Sequence, residues 1–119
     1  FHCGDVRTHV NIGRCWMEHH YLMDTHTATA WVAAQRYVRK TGDKRPMVVL
    51  STASPYKFPK AVLAAIGGNT EGDEFTLMER LEEMTGVPIP KNLANLRQMP
   101  ERHLGVIHKE EMLDFVLGL

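Results

Sequence analysis

Two short segments hold the side chains best suited to chemistry. The first is Ser51-Thr52-Ala53-Ser54-Pro55-Tyr56-Lys57-Phe58-Pro59, which directly follows the apolar run Met47-Val48-Val49-Leu50. Open α/β sheets bind ligands at the carboxyl ends of their strands, so hydroxyls at that point can reach a cofactor or substrate. The same residues also suit a turn and a helix N-cap, a role that Ser, Thr and Pro commonly fill. Lys57 adds an amine, and lysine forms imines with carbonyl groups. Nothing beside it in sequence marks it as activated, and an exposed lysine near a helix start is the plainer reading.

The second segment is Asp24-Thr25-His26-Thr27-Ala28. Asp24 or Thr25 can satisfy the free N–H groups of a helix start. His26 then lies in the first turn, where it could donate to a phosphate or orient a neighbour; a capping role alone for the segment is the plainer reading. The string Cys3, His9, Cys15, His19, His20 suggests zinc, but close Cys-x-x-Cys pairs are missing. His19 and His20 are adjacent, so on a helix they point about 100° apart. No metal site is expected. Dinucleotide, P-loop and nucleophile-elbow motifs are also absent.

These segments need elements to hold them. Asp5 as a cap followed by Thr8 to Met23 reads as a first helix, with Val6, Val10, Gly13, Met17 and Tyr21 as its buried face. A second helix is expected from Thr25 to Thr41, packing through Ala30, Ala33, Ala34, Tyr37 and Val38 and ended by Gly42. Met47 to Leu50 reads as a buried strand of the parallel type. Pro59 to Ile66 is a third helix, opened by proline and stopped by Gly67-Gly68. Glu74 to Thr85 is a fourth, with Leu77, Leu81 and Met84 on one side. A helical turn follows near Leu93 to Leu96. A second strand is expected within His103 to His108, and a closing helix from Glu110 to Leu119. Helices alternating with two short parallel strands predict an α/β fold, mostly helical. Two strands do not make a self-sufficient parallel sheet, so the sheet is expected to continue in sequence outside this chain.

The chain has 119 residues, enough for one modest domain. Hydrophobic residues make up 44% and charged residues 24%, an ordinary globular composition. Basic and acidic residues both number 14, so charge gives no reason to propose nucleic acid or an anionic membrane as partner. No apolar run approaches the roughly 20 residues that span a bilayer. Two cysteines make no disulfide framework, and an intracellular, cytoplasmic setting is expected. The first residue is Phe1, so the chain is expected to begin inside a longer polypeptide or after processing.

Taken together, the two segments resemble threonine synthase. That family carries Asp-x-His-Thr-Ala at a helix start and, a few dozen residues later, Ser-Thr-Ala-x-Pro-x-Lys-Phe after a strand. Here they stand as Asp24-Thr25-His26-Thr27-Ala28 and Ser51-Thr52-Ala53-Ser54-Pro55-Tyr56-Lys57-Phe58. The helix after Phe58, the Pro88-Ile89-Pro90 stretch and the closing helix also look like the family's C-terminal end. The pattern departs at Ser54, Tyr56 and Thr25, where many members carry His, a small residue and Pro.

The resemblance implies part of a tryptophan-synthase-like, fold type II enzyme dependent on pyridoxal phosphate. Residues 1–119 would be a single incomplete domain whose partner is the N-terminal portion of the same protein. The reaction implied is a lyase step of threonine biosynthesis, in which O-phospho-L-homoserine and water give L-threonine and phosphate. It also implies that Thr52 hydrogen-bonds the pyridine nitrogen of the cofactor, with Ser51 beside it and Asp24 and His26 nearby. The family's imine-forming lysine and its glycine-rich phosphate loop lie upstream. No catalytic residue is therefore expected in this chain, and the chain alone is expected to be inactive. The alternative is a binding or regulatory module derived from the same fold.

Overall fold

Helix starts and stops follow local chemistry in the computed structural model, which describes residues 1–118. Helix α1 runs Asp5–His19 behind Gly4 and closes at His20 in the left-handed conformation. Asp24 caps α2, Thr25–Thr41, which stops at Gly42 with φ 68°. Glycine takes that φ at the least steric cost, which favours ending the helix there. A 3₁₀ turn at Pro55–Lys57 leads into α3, Pro59–Ile66, with proline in its first turn. Asp73 caps α4, Glu74–Thr85, by accepting from the Thr76 N–H at 2.8 Å. Shorter pieces follow: α5, Lys91–Ala94, a 3₁₀ turn at Leu96–Gln98, another at Lys109–Glu111, and α6, Met112–Leu117. The bounds expected from sequence for α2, α3 and α4 are those found.

The core lies where α1 packs on α2 and α3, and α3 on α4. Ile12, Met23, Leu63, Leu77 and Leu81 fill it, each almost wholly buried. Gly13 sets the α1–α3 approach: a Cβ at this position would collide with the carbonyl oxygen of Ala65. Burial of these side chains stabilises the packing by about 1.5–3 kcal/mol each, as for a typical buried aliphatic group.

Besides the packing face of α2, where Thr27, Ala28 and Val32 are buried and Ala30 is exposed, three expectations are corrected. The first is the fold class. Among the described residues there is no strand, so the chain is all-helical rather than α/β. Met47 to Leu50 and His103 to His108 are not in strands. A strand is defined by pairing, and among the described residues no backbone–backbone hydrogen bond joins residues 46–53 or 100–107 to a neighbour. Their apolar side chains are accordingly open, Val48 at 84% and Val106 at 94% exposure.

The second is the buried face of α1. Thr8, Ile12, Gly13 and Cys15 face the core, while Val6, Val10, Met17 and Tyr21 are exposed. Both stripes fit a helical period, and Gly13 belongs with the buried one because it permits the close approach of α3. The third is the closing helix. It spans only Met112–Leu117, and its Met112, Phe115 and Val116 are exposed; Leu119 lies outside the described residues.

Residues 94–118 are exposed throughout. This arm stretches the molecule to 54 × 37 × 23 Å with a radius of gyration of 18.1 Å. A compact chain of this length would give about 13.5 Å.

Candidate functional site

Asp24 is the anchor of the site. It has no solvent exposure, and one carboxylate oxygen accepts from the backbone N–H groups of His26 and Thr27 at 2.8 and 3.2 Å. Its other oxygen accepts from the hydroxyl of Thr27. A buried carboxylate is tolerable only when its oxygens are satisfied in this way. Thr27 is 4% exposed, and its hydroxyl oxygen also lies 3.4 Å from Ser51 Oγ. The two sequence segments therefore meet through Thr27.

Ser51 and Thr27 line a cavity of about 280 Å³ together with Cys15, His19, Met23 and Trp31. Met47 and Val49 of the extended segment form another wall. A larger cavity of about 550 Å³ shares Trp31, Met47 and Val49 and brings in Arg14 and Arg39. Burial, helped by the charge of Glu18, pushes the Cys15 thiol above its ordinary value, which disfavours the thiolate.

Not every sequence candidate comes to this place. Thr52 is exposed, and its side chain makes no hydrogen bond among the described residues. His26 lines a different cleft of about 450 Å³, with Cys3, His9 and Thr29. There its ring lies 5.1 Å from that of Phe58 and 3.4 Å from Asp24 Oδ1. Lys57 is exposed and borders a fourth cavity, with Lys60, Glu74 and Phe75. Ser54 is accounted for by a cap: its hydroxyl accepts from the Tyr56 N–H at 3.3 Å, which opens the 3₁₀ turn. Tyr56 is buried and donates its hydroxyl to the Val87 carbonyl, tying this loop to the chain after α4. Among the described residues, no three His, Cys, Asp or Glu side chains gather as metal ligands. Nor is any described helix long and apolar enough to cross a membrane.

Thr27 is the residue that sequence reading passed over. Its signal was its register: three residues after a cap, a side chain turns back over the helix start, where Asp24 lies.

The chemistry available is that of hydroxyl donors at the rim of a half-apolar cavity. Such groups can hold a neutral heteroaromatic nitrogen or an oxygen acceptor. Residues 27–115 match the family described as threonine synthase, C-terminal. The chain is 38% identical over 69 residues to threonine synthase of Saccharomyces cerevisiae, covering 56% of this chain and 13% of that protein. It is 41% identical over 54 residues to threonine synthase-like 2 of Homo sapiens, covering 45% of this chain and 11% of that protein. The chain thus spans only a small part of the length of these relatives. With three quarters of its residues inside the family match, the chain belongs to the threonine synthase family, in its C-terminal part.

Proposed function

We propose that this chain is the C-terminal segment of a pyridoxal-phosphate-dependent threonine synthase, which converts O-phospho-L-homoserine and water to L-threonine and phosphate. The observation that carries the reading is the hydroxyl pair Ser51-Thr52, one member of which lines a cavity and is tied through Thr27 to a buried aspartate. These residues fit one edge of the cofactor. A pyridine nitrogen accepts one hydrogen bond, and Thr52 is a donor whose own proton is used by no other group among the described residues, with Ser51 beside it. The cofactor, when bound, supplies an electron sink for the substrate's α- and β-carbon chemistry. The part of this chain is to hold and orient the ring. A neutral hydroxyl partner does so without forcing the nitrogen to carry a proton, as a carboxylate would.

The rest of the site would come from the remainder of the full-length protein, including the lysine and the phosphate loop. Lys57 does not fit the lysine role, because it is exposed beside a cavity that Ser51 does not line. The chain alone is thus expected to lack activity, and a cytoplasmic setting goes with the same reading. The missing portion is also the natural cover for the exposed arm at 94–118, most of which lies inside the family match.

The test is to titrate pyridoxal phosphate into the full-length protein and its Thr52→Val and Lys57→Ala variants. Thr52→Val keeps the shape and removes the donor. An acceptor left unpaired in a partly buried site costs roughly 1–3 kcal/mol, so cofactor binding should weaken about tenfold or more. Lys57→Ala should bind as wild type does. Unchanged binding by Thr52→Val together with loss of binding by Lys57→Ala would reverse the roles assigned here.

A further inference from the structure

The segment that carries Ser51 and Thr52 has two faces, and exposure alternates along it. Met47, Val49 and Ser51 line the 280 Å³ cavity beside α2. Val48 and Leu50 are 84% and 72% exposed, and Thr52, next in the alternation, is exposed and does not line that cavity. A one-residue slip or a half-turn of an extended chain exchanges its two faces, and here it would exchange Ser51 with Thr52. Composition does not choose between the faces, because Met47, Val48, Val49 and Leu50 are all apolar. Backbone pairing does not choose either, since residues 46–53 make no backbone–backbone hydrogen bond among the described residues.

A knot of side chains stands just before this segment. The Asp43 side chain is only 13% exposed. Its Oδ1 accepts from the backbone N–H and the Nε–H of Arg45, both at 3.0 Å. Its Oδ2 accepts from Arg45 Nη2 at 2.6 Å and from the Tyr37 hydroxyl of α2 at 3.1 Å. Thr41 closes the knot: its hydroxyl donates to the Tyr37 carbonyl at 2.9 Å and accepts from the Asp43 N–H at 3.2 Å. The Arg45 guanidinium holds the Asp43 carboxyl well below the usual carboxylate range, at about 2, so the knot stays charged at neutral pH.

We propose that Asp43 is a positioning residue: by tying the turn at 43–45 to α2 it sets the rotation of residues 47–52, holding Ser51 toward the cavity and Thr52 toward the outer face, where the rest of the full-length protein brings the cofactor. This rests on the cofactor reading above and adds the residue that aims its donor. The plainer role is an ion pair that only firms the end of α2. Exposed pairs contribute little to stability, but a two-armed contact between arginine and carboxylate also fixes direction.

The experiment uses the full-length protein. Pyridoxal phosphate is titrated into Asp43→Asn, Thr52→Val and the double variant, and amide exchange at residues 47–52 is measured without cofactor. Asp43→Asn keeps the shape but removes the charge and one of the two acceptor atoms. A segment that is correctly rotated only part of the time binds more weakly in proportion, so affinity should fall about three- to tenfold. In the Thr52→Val background the same change should weaken binding by less than about twofold, because the donor it aims is already gone. Exchange at 47–52 should quicken, with the amides of residues 27–37 as in wild type. Wild-type affinity in Asp43→Asn, or an equal loss in both backgrounds, would overturn the proposal, as would unchanged exchange. If wild type itself takes up no cofactor, the cofactor reading fails separately, and exchange decides the rest: quicker exchange upholds Asp43 as what sets the segment, and unchanged exchange overturns it. Should Asp43→Asn not fold, Arg45→Met takes its place, since that side chain is 81% exposed. Faster exchange at 47–52 in that variant supports the proposal, and unchanged exchange overturns it.

Discussion

The hydroxyl of Tyr56 donates to the Val87 carbonyl, and the ring is 2% exposed. Removing it by Tyr56→Phe keeps the packing and should cost about 1 kcal/mol, read as a lower denaturation midpoint. Burial, more than the charge of Glu82, pushes the phenol above its ordinary value. The folded state therefore favours the neutral form. The stability Tyr56 contributes is intact below the unfolded value of about 10 and declines as pH rises past it. Tyr56→Phe should remove this alkaline component, which a pH series of unfolding curves would show; an unchanged series would refute it. At this scale the sequence was partly legible. Asp24 was visible because a helix cap has a recognisable setting, and Ser51 because its hydroxyl follows an apolar run. The contact of Thr27 with Asp24 had a signal in its register, but its contact with Ser51 did not, because Ser51 arrives from 24 residues away.

Elements were legible where local chemistry decides them. Asp24 with Gly42, Pro59 with Gly67, and Asp73 with Gly86 bracket three helices whose limits follow from capping and left-handed stops. The face of α1 was not, because apolar residues lie on both sides of that helix, and only the partner helix selects Ile12 and Cys15 over Val10 and Met17. The strands were not legible for a related reason. A strand needs a neighbour, and Met47 to Leu50 has none among the described residues. Gly13→Ala tests the α1–α3 contact. The added methyl group meets the Ala65 carbonyl, so the helices must separate, at a cost of about 1–3 kcal/mol. The same substitution at Gly4, where a Cβ meets nothing within 4 Å, should be tolerated. Equal stability for the two variants would contradict the packing described.

As a whole, the molecule is a small helical core with a long arm. Leu104, Val106, Leu113, Phe115 and Val116 are all more than half exposed, and an arm this apolar is not a stable free surface. In the isolated chain, amides of residues 100–118 should exchange freely, whereas in the full-length protein they should be protected. Protection in the isolated chain would show that the arm packs on the helical core instead. The central claim, that this chain completes a cofactor-dependent threonine synthase, is met most directly by one assay. Full-length protein loaded with pyridoxal phosphate is given O-phospho-L-homoserine, and threonine and inorganic phosphate are counted together. The account predicts the two products in equal amounts, with the rate reduced in Thr52→Val. Saturable cofactor uptake without any threonine, or turnover that ignores both Ser51→Ala and Thr52→Val, would contradict it.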